Sequence, residues 1–456
     1  MKDFDKFLKN EKIDTSEISK KIRNEIIELV AEYYKNTHDK SEFIPGKSFL
    51  PYSGKTFNEK EIQYLVSASL DFWLTEGRFN KQFEERFSQY LQRNFVLTTN
   101  SGSSANLLAV SSLTSKLLGD RALKDYDEVL TVAGSFPTTI NPILQNNLIP
   151  VFLDIEIPTY NIDVRRIESS ITNKTKAIIL AHTLGNPFDL KKIQAICQEH
   201  KLWLIEDCCD ALGSKYNNQL VGSFGDISTF SFYPAHHITM GEGGAITTDN
   251  PILKKAIESI RDWGRDCFCA PGVNNTCGKR FKWKLGDLPE GFDHKYTFSH
   301  RGYNLKLTEM QAAVGLAQLD KLEYFNEKRK ENYSYLRKKL EKFSEFLILP
   351  KETENSEPSW FGFPITVSSN APFSREDLIF FLQIKNIDTR NIFSGNIIRQ
   401  PFFNDEQFRV VGNLENTDLM MTNTFMIGVY PGLTKSMLDY IIQMLSEFFK
   451  QKEINF

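Results

Sequence analysis

A histidine in a polar turn is the residue of this sequence best suited to proton chemistry. His236 follows an apolar, β-rich run at residues 230–233 and precedes a glycine-rich turn at residues 241–244. Because an imidazole titrates near neutral pH, this histidine can remove a proton from a bound molecule. His237 stands beside it, and we expect its side chain to point elsewhere.

An aspartate at the end of a buried run is the second candidate. Asp207 follows residues 202–206, which are predicted to form a strand. A carboxylate in this place can cap a following helix or pair with a cationic group of a ligand. The residue types alone leave both interpretations open.

Small residues follow another predicted strand and lead into a helix. The strand covers residues 95–99, Gly102 and Ser103 lie in the turn, and an apolar helix follows from residue 106. The free N–H groups and the dipole of a helix N-terminus both favour a phosphate. An ordinary turn would use the same residues, so the segment by itself does not decide between the two.

The cysteines are unevenly distributed. Five of the six fall within 70 residues, which favours a metal or redox site over a disulfide framework in a chain of this length. Cys209, Cys267, Cys269 and Cys277 have the spacing C-x57-C-x-C-x7-C, which matches none of the common zinc or ferredoxin patterns. A structural zinc and four unrelated thiols are the alternatives.

Strands and helices alternate along residues 95–206, which predicts a parallel sheet covered by helices on both faces. Ligands of such sheets bind at the carboxyl ends of the strands, where Ser103, Phe136, His182 and Asp207 fall. Helical spacing of apolar residues predicts an N-terminal helix over residues 16–34 and an amphipathic helix over residues 305–325.

The length of 456 residues allows two domains. We predict an N-terminal helical extension (1–50), a large ligand-binding domain (51–330) with a long loop at 267–292, and a small C-terminal domain (331–456). The net charge of −3 suggests no nucleic-acid or acidic-membrane partner. We find no stretch of ~20 apolar residues and no signal peptide, which predicts a cytoplasmic protein.

Several motifs in order resemble the sugar aminotransferase and dehydrase family of fold-type I pyridoxal-phosphate enzymes. The family pattern Ser-Phe-His-Pro-x-Lys, followed by Gly-Glu-Gly-Gly, resembles residues 231–236 and 241–244, with His236 in the place of the lysine. Further matching segments are residues 73–78, 154–156, 183–187 and 302–309. The resemblance implies a large domain with a mainly parallel seven-stranded sheet, a smaller C-terminal α/β domain and a homodimer.

The resemblance also implies roles for the residues around the cofactor. Asp207 would pair with the protonated ring nitrogen and strengthen the ring as an electron sink. Phe136 would stack on the ring, although without the resemblance it would be taken for an ordinary core residue. Gly102, Ser103 and Ser231 would hold the phosphate. Asn304 would reach the phosphate of the neighbouring subunit.

The exchange of lysine for His236 changes the expected chemistry. Histidine cannot form the stable imine that the family's lysine forms, so the cofactor would be non-covalent pyridoxamine phosphate. The amine of this cofactor can condense with a ketone, and His236 can then remove a proton from the cofactor methylene. A β-hydroxyl of the sugar leaves, which is a dehydration and not an amino transfer. An inactive homologue that has lost its lysine is the alternative.

The cysteine set is similar to that of the iron–sulfur 3-dehydrases in this family, which act in 3,6-dideoxysugar and O-antigen biosynthesis. The similarity implies a [2Fe–2S] cluster on Cys209, Cys267, Cys269 and Cys277, with Cys208 as a buried thiol. It implies CDP-4-keto-6-deoxyglucose as substrate and an NADH-dependent flavin iron–sulfur reductase as partner. A 3-dehydrase without a cluster that regenerates its cofactor with glutamate is the second enzyme hypothesis.

A segment near the C-terminus resembles the family's sugar-nucleotide contact. Arg390 and Arg399 lie in it together with several amides, and guanidinium groups suit a pyrophosphate. We therefore expect both arginines to bind substrate, and the nucleotide base is not revealed by these residues.

Overall fold

The computed structural model describes residues 15–38 and 42–452. The helices are α1 (Thr15–Thr37), α2 (Glu59–Asp71), α3 (Arg78–Leu91), α4 (Gly102–Leu113), α5 (Pro137–Gln145), α6 (Ile167–Ser170), α7 (Leu190–His200), α8 (Pro251–Arg261), α9 (Glu309–Leu319), α10 (Leu322–Leu340), α11 (Arg375–Ile384), α12 (Glu415–Asn423) and α13 (Lys435–Gln451). The strands are β1 (Phe95–Thr99), β2 (Glu128–Val132), β3 (Ile149–Leu153), β4 (Ile155–Glu156), β5 (Asn161–Ile162), β6 (Thr175–Ala181), β7 (Trp203–Asp207), β8 (Lys215–Tyr216), β9 (Gln219–Leu220), β10 (Ile227–Ser231), β11 (Gly244–Thr248), β12 (Leu347–Ile348), β13 (Ser356–Glu357), β14 (Gly362–Val367), β15 (Arg409–Val410) and β16 (Thr424–Gly428).

The main sheet has the strand order β1-β11-β10-β7-β6-β2-β3-β15. β11 runs antiparallel to β1 and β10, and the other neighbours pair in parallel, which confirms the mainly parallel sheet. The sheet has eight strands and not the expected seven, because Arg409 and Val410 pair with Val151 and Phe152 at its edge.

Alternation along the buried strands sends successive side chains to opposite faces of the sheet. In β7, Leu204 joins one apolar cluster, whereas Trp203 and Ile205 join a second one. Helix α4 packs on β10 and β11 within the second cluster, and α3 and α7 contribute to the first. Helices therefore cover both faces of the sheet, and the carboxyl ends of its strands are left uncovered.

The helix expected over residues 305–325 is wrong in its bounds. α9 begins at Glu309 because Thr308 and Gln311 form a capping box, and the chain breaks at residues 320–321 before α10. The long loop between α8 and α9 contains one short 3₁₀ turn, His294–Tyr296, within the described residues. It carries Cys267, Cys269 and Cys277, as the sequence predicted.

The C-terminal strands form a separate antiparallel sheet in the order β12-β14-β16. Its core includes Trp360, whose ring stacks on that of Tyr333 in α10 at 4.5 Å. Leu50 pairs with Ile387 in this part of the chain. The division at residues 50 and 330 stays a prediction. Within the described ranges, no helix is both long enough and apolar enough to cross a membrane.

Candidate active site

A cavity of about 290 Å³ opens at the carboxyl ends of β6, β7 and β10, beside the N-terminus of α4. It brings together eight of the predicted site residues: Gly102, Ser103, Phe136, Asp207, Cys209, Ser231, His236 and Arg390. A second cavity, of about 400 Å³, lies near the N-terminal end of β7 and is lined by none of these residues. The smaller cavity is therefore the candidate active site.

Asp207 is the last residue of β7. Its carboxylate is almost fully buried and accepts hydrogen bonds from its neighbours. Asn106 Nδ2 and the Thr139 hydroxyl donate to Oδ2 at 2.8 Å each, and Cys209 N donates to Oδ1 at 3.1 Å. Asn106 is fixed in turn by the Thr229 hydroxyl at 2.6 Å. A rigid, buried carboxylate at the cavity wall fits the protonated ring nitrogen of a pyridine cofactor.

The N-terminus of α4 forms a cradle suited to an anion. Ser101 caps the helix by accepting Ser104 N at 3.1 Å, and the helix begins at Gly102. A Cβ on Gly102 would lie 2.5 Å from Ser231 Cβ, so a glycine is needed where α4 meets the end of β10. Free N–H groups, the helix dipole and the Ser103 hydroxyl together fit a phosphate.

Phe136 lies at the cavity with half of its surface exposed, so it is not an ordinary core residue. It precedes Pro137 at the start of α5 and meets the ring of Phe393 edge-to-face at 6.3 Å. Its exposed face is available to a planar ligand ring. Phosphate cradle, aromatic face and carboxylate line one cavity and thus fit a pyridoxal-type cofactor.

His236 lies in the turn after β10 with its side chain at the cavity. Its Nδ1 is 3.3 Å from Asp210 Oδ1, yet the two groups are not aligned as a hydrogen bond, and both His236 Nδ1 and Asp210 Oδ2 lack a partner. The ring rests against Phe361 at 5.3 Å. Buried Arg329 donates to the His236 carbonyl at 3.3 Å and thereby fixes the turn.

His237 points away from the cavity, as the sequence predicted. One of its ring nitrogens, Nε2, lies 2.8 Å from the Ser359 carbonyl. Burial lowers the pKa of His237 well below its ordinary value, and the nearby charge of Arg329 acts in the same direction. This histidine is therefore a neutral structural residue.

The four cysteines do not meet in one chain. Cys209 lines the candidate active site, whereas Cys267 and Cys269 line a different cavity of about 440 Å³ with Trp73 and Arg261. Cys269 Sγ lies 3.1 Å from the Thr276 hydroxyl, next to Cys277 in the chain. Cys267 and Cys269 thus lie at a different cavity from Cys209.

Another group, His182, Glu206 and Cys208, has its ligand atoms within 4.8 Å of one another. Glu206 is fully buried and accepts from the N–H groups of Gly222, Phe224 and Gly225 in addition to His182. These donors satisfy the carboxylate, so the group is a structural network. Cys208 is buried in it, as expected.

Besides the three loop cysteines, two predicted site residues lie outside the cavity, Asn304 and Arg399. Asn304 pairs through its backbone with Asp262 at the base of the cysteine loop. Arg399 is exposed and bonds the carboxylate of Asp418, which holds it away from the cavity. Arg390, by contrast, lines the cavity with its guanidinium 4.3 Å above the ring of Tyr52.

The cavity residues that sequence reasoning missed include Tyr52, Asn106, Thr139 and Asp210. Asp210 could have been found, because it follows Asp207 by three residues in a run of acids and cysteines. The other three have ordinary residue types in ordinary positions. Only the fold places them beside the cavity.

The family model described as the DegT/DnrJ/EryC1/StrS aminotransferase family matches residues 55–446. The chain belongs to this family. It is 58% identical over 428 residues to the lipopolysaccharide biosynthesis protein RfbH of Salmonella typhimurium, which covers 94% of this chain and 98% of the relative. It is 49% identical to the dTDP-4-dehydro-2,6-dideoxy-D-glucose 3-dehydratase of Saccharopolyspora spinosa, over 93% of this chain and 92% of the relative.

A solved structure also matches the fold of this chain. The crystal structure of GDP-4-keto-6-deoxymannose-3-dehydratase with a trapped PLP-glutamate geminal diamine has a TM-score of 0.79 at 30% identity, covering 87% of this chain and all of that one. The DegT/DnrJ/EryC1/StrS protein described here is thus an enzyme of the pyridoxal-phosphate-dependent sugar aminotransferase and 3-dehydratase class. The expected fold-type I architecture is confirmed.

Proposed function

We propose that the protein is a pyridoxamine-phosphate-dependent 3-dehydrase that removes the 3-hydroxyl of a nucleotide-linked 4-keto-6-deoxyhexose as water. The observation that carries the proposal is a histidine, His236, at the cavity where the family's motif has a lysine. Two relatives are named as 3-dehydratases, which supports the same reaction class.

The chain's own residues would bind and orient the cofactor. Asp207 would pair with the ring nitrogen, Phe136 would cover one face of the ring, and Gly102, Ser103 and Ser231 would hold the phosphate. When bound, pyridoxamine phosphate would supply an amine that condenses with the 4-keto group and a ring that withdraws electrons.

His236 would act as the general base. Its imidazole would take a proton from the methylene carbon of the cofactor and deliver it to the 3-hydroxyl, which would leave as water. Phe361 packs against the imidazole ring, and Asp210 lies beside Nδ1. This arrangement leaves Nε2 as the nitrogen that would accept the proton.

Arg390 would bind the pyrophosphate of the substrate, since the residue lines the cavity and its guanidinium rests on the ring of Tyr52. We propose CDP-4-keto-6-deoxyglucose as substrate and the first step of C3 deoxygenation in 3,6-dideoxysugar and O-antigen biosynthesis as the role. The name of the lipopolysaccharide biosynthesis relative supports that role. Other relatives are named for dTDP-linked and GDP-linked sugars, so the nucleotide has to be determined by experiment.

We also propose a homodimer that holds a [2Fe–2S] cluster on Cys209, Cys267, Cys269 and Cys277, with Asn304 reaching the neighbouring phosphate. Four thiolates are the donor set that such clusters require. A cluster would supply one-electron transfer from an NADH-dependent flavin iron–sulfur reductase. The second candidate is a cluster-free dehydrase that uses glutamate, which is favoured by the glutamate adduct in the solved relative.

The test is incubation of the wild-type protein with pyridoxamine phosphate and the CDP, dTDP and GDP forms of the 4-keto-6-deoxyhexose, read by mass spectrometry. We expect one nucleotide form to give a 3-deoxy-4-keto product lighter by one oxygen atom, with one pyridoxamine phosphate converted to pyridoxal phosphate and ammonium per product, and His236→Asn should lower its rate by ~10²–10⁴-fold. A 4-amino sugar as the main product, or normal turnover by His236→Asn, would contradict the proposal.

A further inference from the structure

A buried guanidinium joins the turn of His236 to the segment that precedes β14. Arg329 belongs to α10 and is 1% exposed. Its Nη2 donates to the His236 carbonyl at 3.3 Å, and its Nη1 donates to the carbonyls of Trp360 and Phe361 at 3.2 and 3.1 Å. One rigid, planar group therefore binds carbonyls from two distant parts of the chain and fixes them relative to each other.

The side chain of His237 holds the same segment one residue earlier. Its Nε2 lies 2.8 Å from the Ser359 carbonyl. Burial lowers the pKa of His237 well below its ordinary value, so the ring is neutral, and a neutral imidazole can bond a carbonyl only by donating an N–H. The carbonyls of three successive residues, 359–361, are thus each bound by a side chain from outside the segment.

This segment carries the aromatic ring that touches the imidazole of His236. The ring centroids of Phe361 and His236 are 5.3 Å apart, and both residues line the candidate active site. The N–H of Phe361 is also bound, because it donates to the Leu184 carbonyl at 2.8 Å. The two rings therefore meet on main chains that Arg329 ties together.

The environment of Arg329 is an expensive one for a charged group. A buried charge loses its hydration, and hydrogen bonds to uncharged carbonyls restore only part of that free energy. Burial lowers the pKa of Arg329 to about 10, while the charge of Asp210 acts in the opposite direction. The guanidinium is still charged near neutral pH. An arginine in this place is a costly way to fill space, which favours a role in holding the turn.

We propose that Arg329, together with His237, is a positioning residue that holds the imidazole of His236 against Phe361 in the orientation used for proton transfer. This inference rests on the proposed role of His236 as the general base. The described residues that line the active-site cavity include neither Arg329 nor His237, so both act through the main chain. Their loss should therefore lower the rate of the chemical step and leave the binding of cofactor and substrate intact.

Arg329→Met tests the inference, because methionine keeps an unbranched apolar chain and donates to no carbonyl. We expect kcat for dehydration to fall by ~10²-fold, since a small misplacement of a reacting group can cost that much. The KM for the nucleotide sugar and the affinity for pyridoxamine phosphate should change little. Arg329→Lys keeps the charge and one donor group and should recover part of the rate.

Arg93→Met is the matched control. Arg93 is also buried and donates to the carbonyls of Gly225 and Asp226 at 3.0 and 3.3 Å, but it does not line the active-site cavity. We expect Arg93→Met to retain a kcat near that of the wild-type protein. An equal loss of kcat in Arg93→Met and Arg329→Met would assign the effect to the loss of any buried arginine and would overturn the inference.

A second pair of variants tests the same contacts without removing a charge. His237→Gln keeps an N–H donor for the Ser359 carbonyl, whereas His237→Leu has none. We expect a lower kcat for His237→Leu than for His237→Gln, again with little change in KM. Wild-type kcat in His237→Leu would remove this histidine from the proposal, and wild-type kcat in Arg329→Met as well would overturn it.

A measurement without cofactor separates this inference from the proposed function. The chain has seven histidines, and His236→Asn identifies the ring signal of His236 in the NMR spectrum of protein with ¹³C-labelled histidine. Phe361→Leu should move this signal, because the neighbouring aromatic ring is lost. Arg329→Met should move it in the same direction, and Arg93→Met should not. An unmoved signal in Arg329→Met would overturn the inference, whereas normal turnover by His236→Asn would overturn the proposed general base instead.

Discussion

His236 and Asp210 are the residue pair on which the proposed proton transfer depends. Nδ1 of His236 and Oδ1 of Asp210 are 3.3 Å apart. The hydrogen bond made by one ring nitrogen sets the role of the other. With Nδ1–H directed to Asp210, Nε2 would be held unprotonated and ready to accept a proton.

Asp210→Asn tests this positioning role. We expect the rate of dehydration to fall by at least ~10-fold, because an amide can hold the imidazole in the wrong tautomer. The Michaelis constant and the affinity for pyridoxamine phosphate should change little, since Asp207 and the α4 cradle would remain. Asp210→Glu should recover part of the rate. Weakened cofactor binding with an unchanged rate would show that Asp210 acts only on the structure.

At the scale of elements, the sequence predicted the strands and helices that are defined by residues close together in the chain. The bounds of β1 agree with the strand predicted over residues 95–99, because a contiguous run of apolar and β-branched residues defines it. β15 could not be predicted, since its two residues join the sheet through pairing with β3 and a contact of Arg409 with Glu128, 281 residues away. The Asp210–His236 contact is likewise a product of the fold.

The contact between α4 and β10 forms the proposed phosphate site. Gly102→Ala would place a methyl group against Ser231 and Cys209, and such overpacking costs about 1–3 kcal/mol. We expect the affinity for pyridoxamine phosphate, measured by titration of its absorbance, to fall at least ~10-fold. Ser103→Ala removes a hydroxyl without a clash and should weaken binding less. Equal losses of cofactor affinity in the two variants would contradict the close approach of Gly102 to Ser231.

At the scale of the whole molecule, the cavity is built from both parts of the chain. The main sheet supplies Asp207, Ser231 and the start of α4, whereas Phe361 and Arg390 come from the C-terminal third. The predicted roles thus divide by region, with cofactor contacts on the sheet and substrate contacts on the C-terminal part. The sequence found the first group through motifs and Arg390 through the resemblance of its C-terminal segment, whereas Phe361 was not predicted and Arg399 lies outside the cavity.

The measurement that tests the central claim most directly is uptake of solvent deuterium at the methylene carbon of pyridoxamine phosphate. Wild-type protein, cofactor and the preferred nucleotide sugar are incubated in D₂O, and the recovered cofactor is analysed by mass spectrometry. If His236 moves the proton, the wild-type protein should exchange the methylene hydrogen and His236→Asn should do so ~10²–10⁴-fold more slowly. Equal exchange by the two proteins would contradict the account.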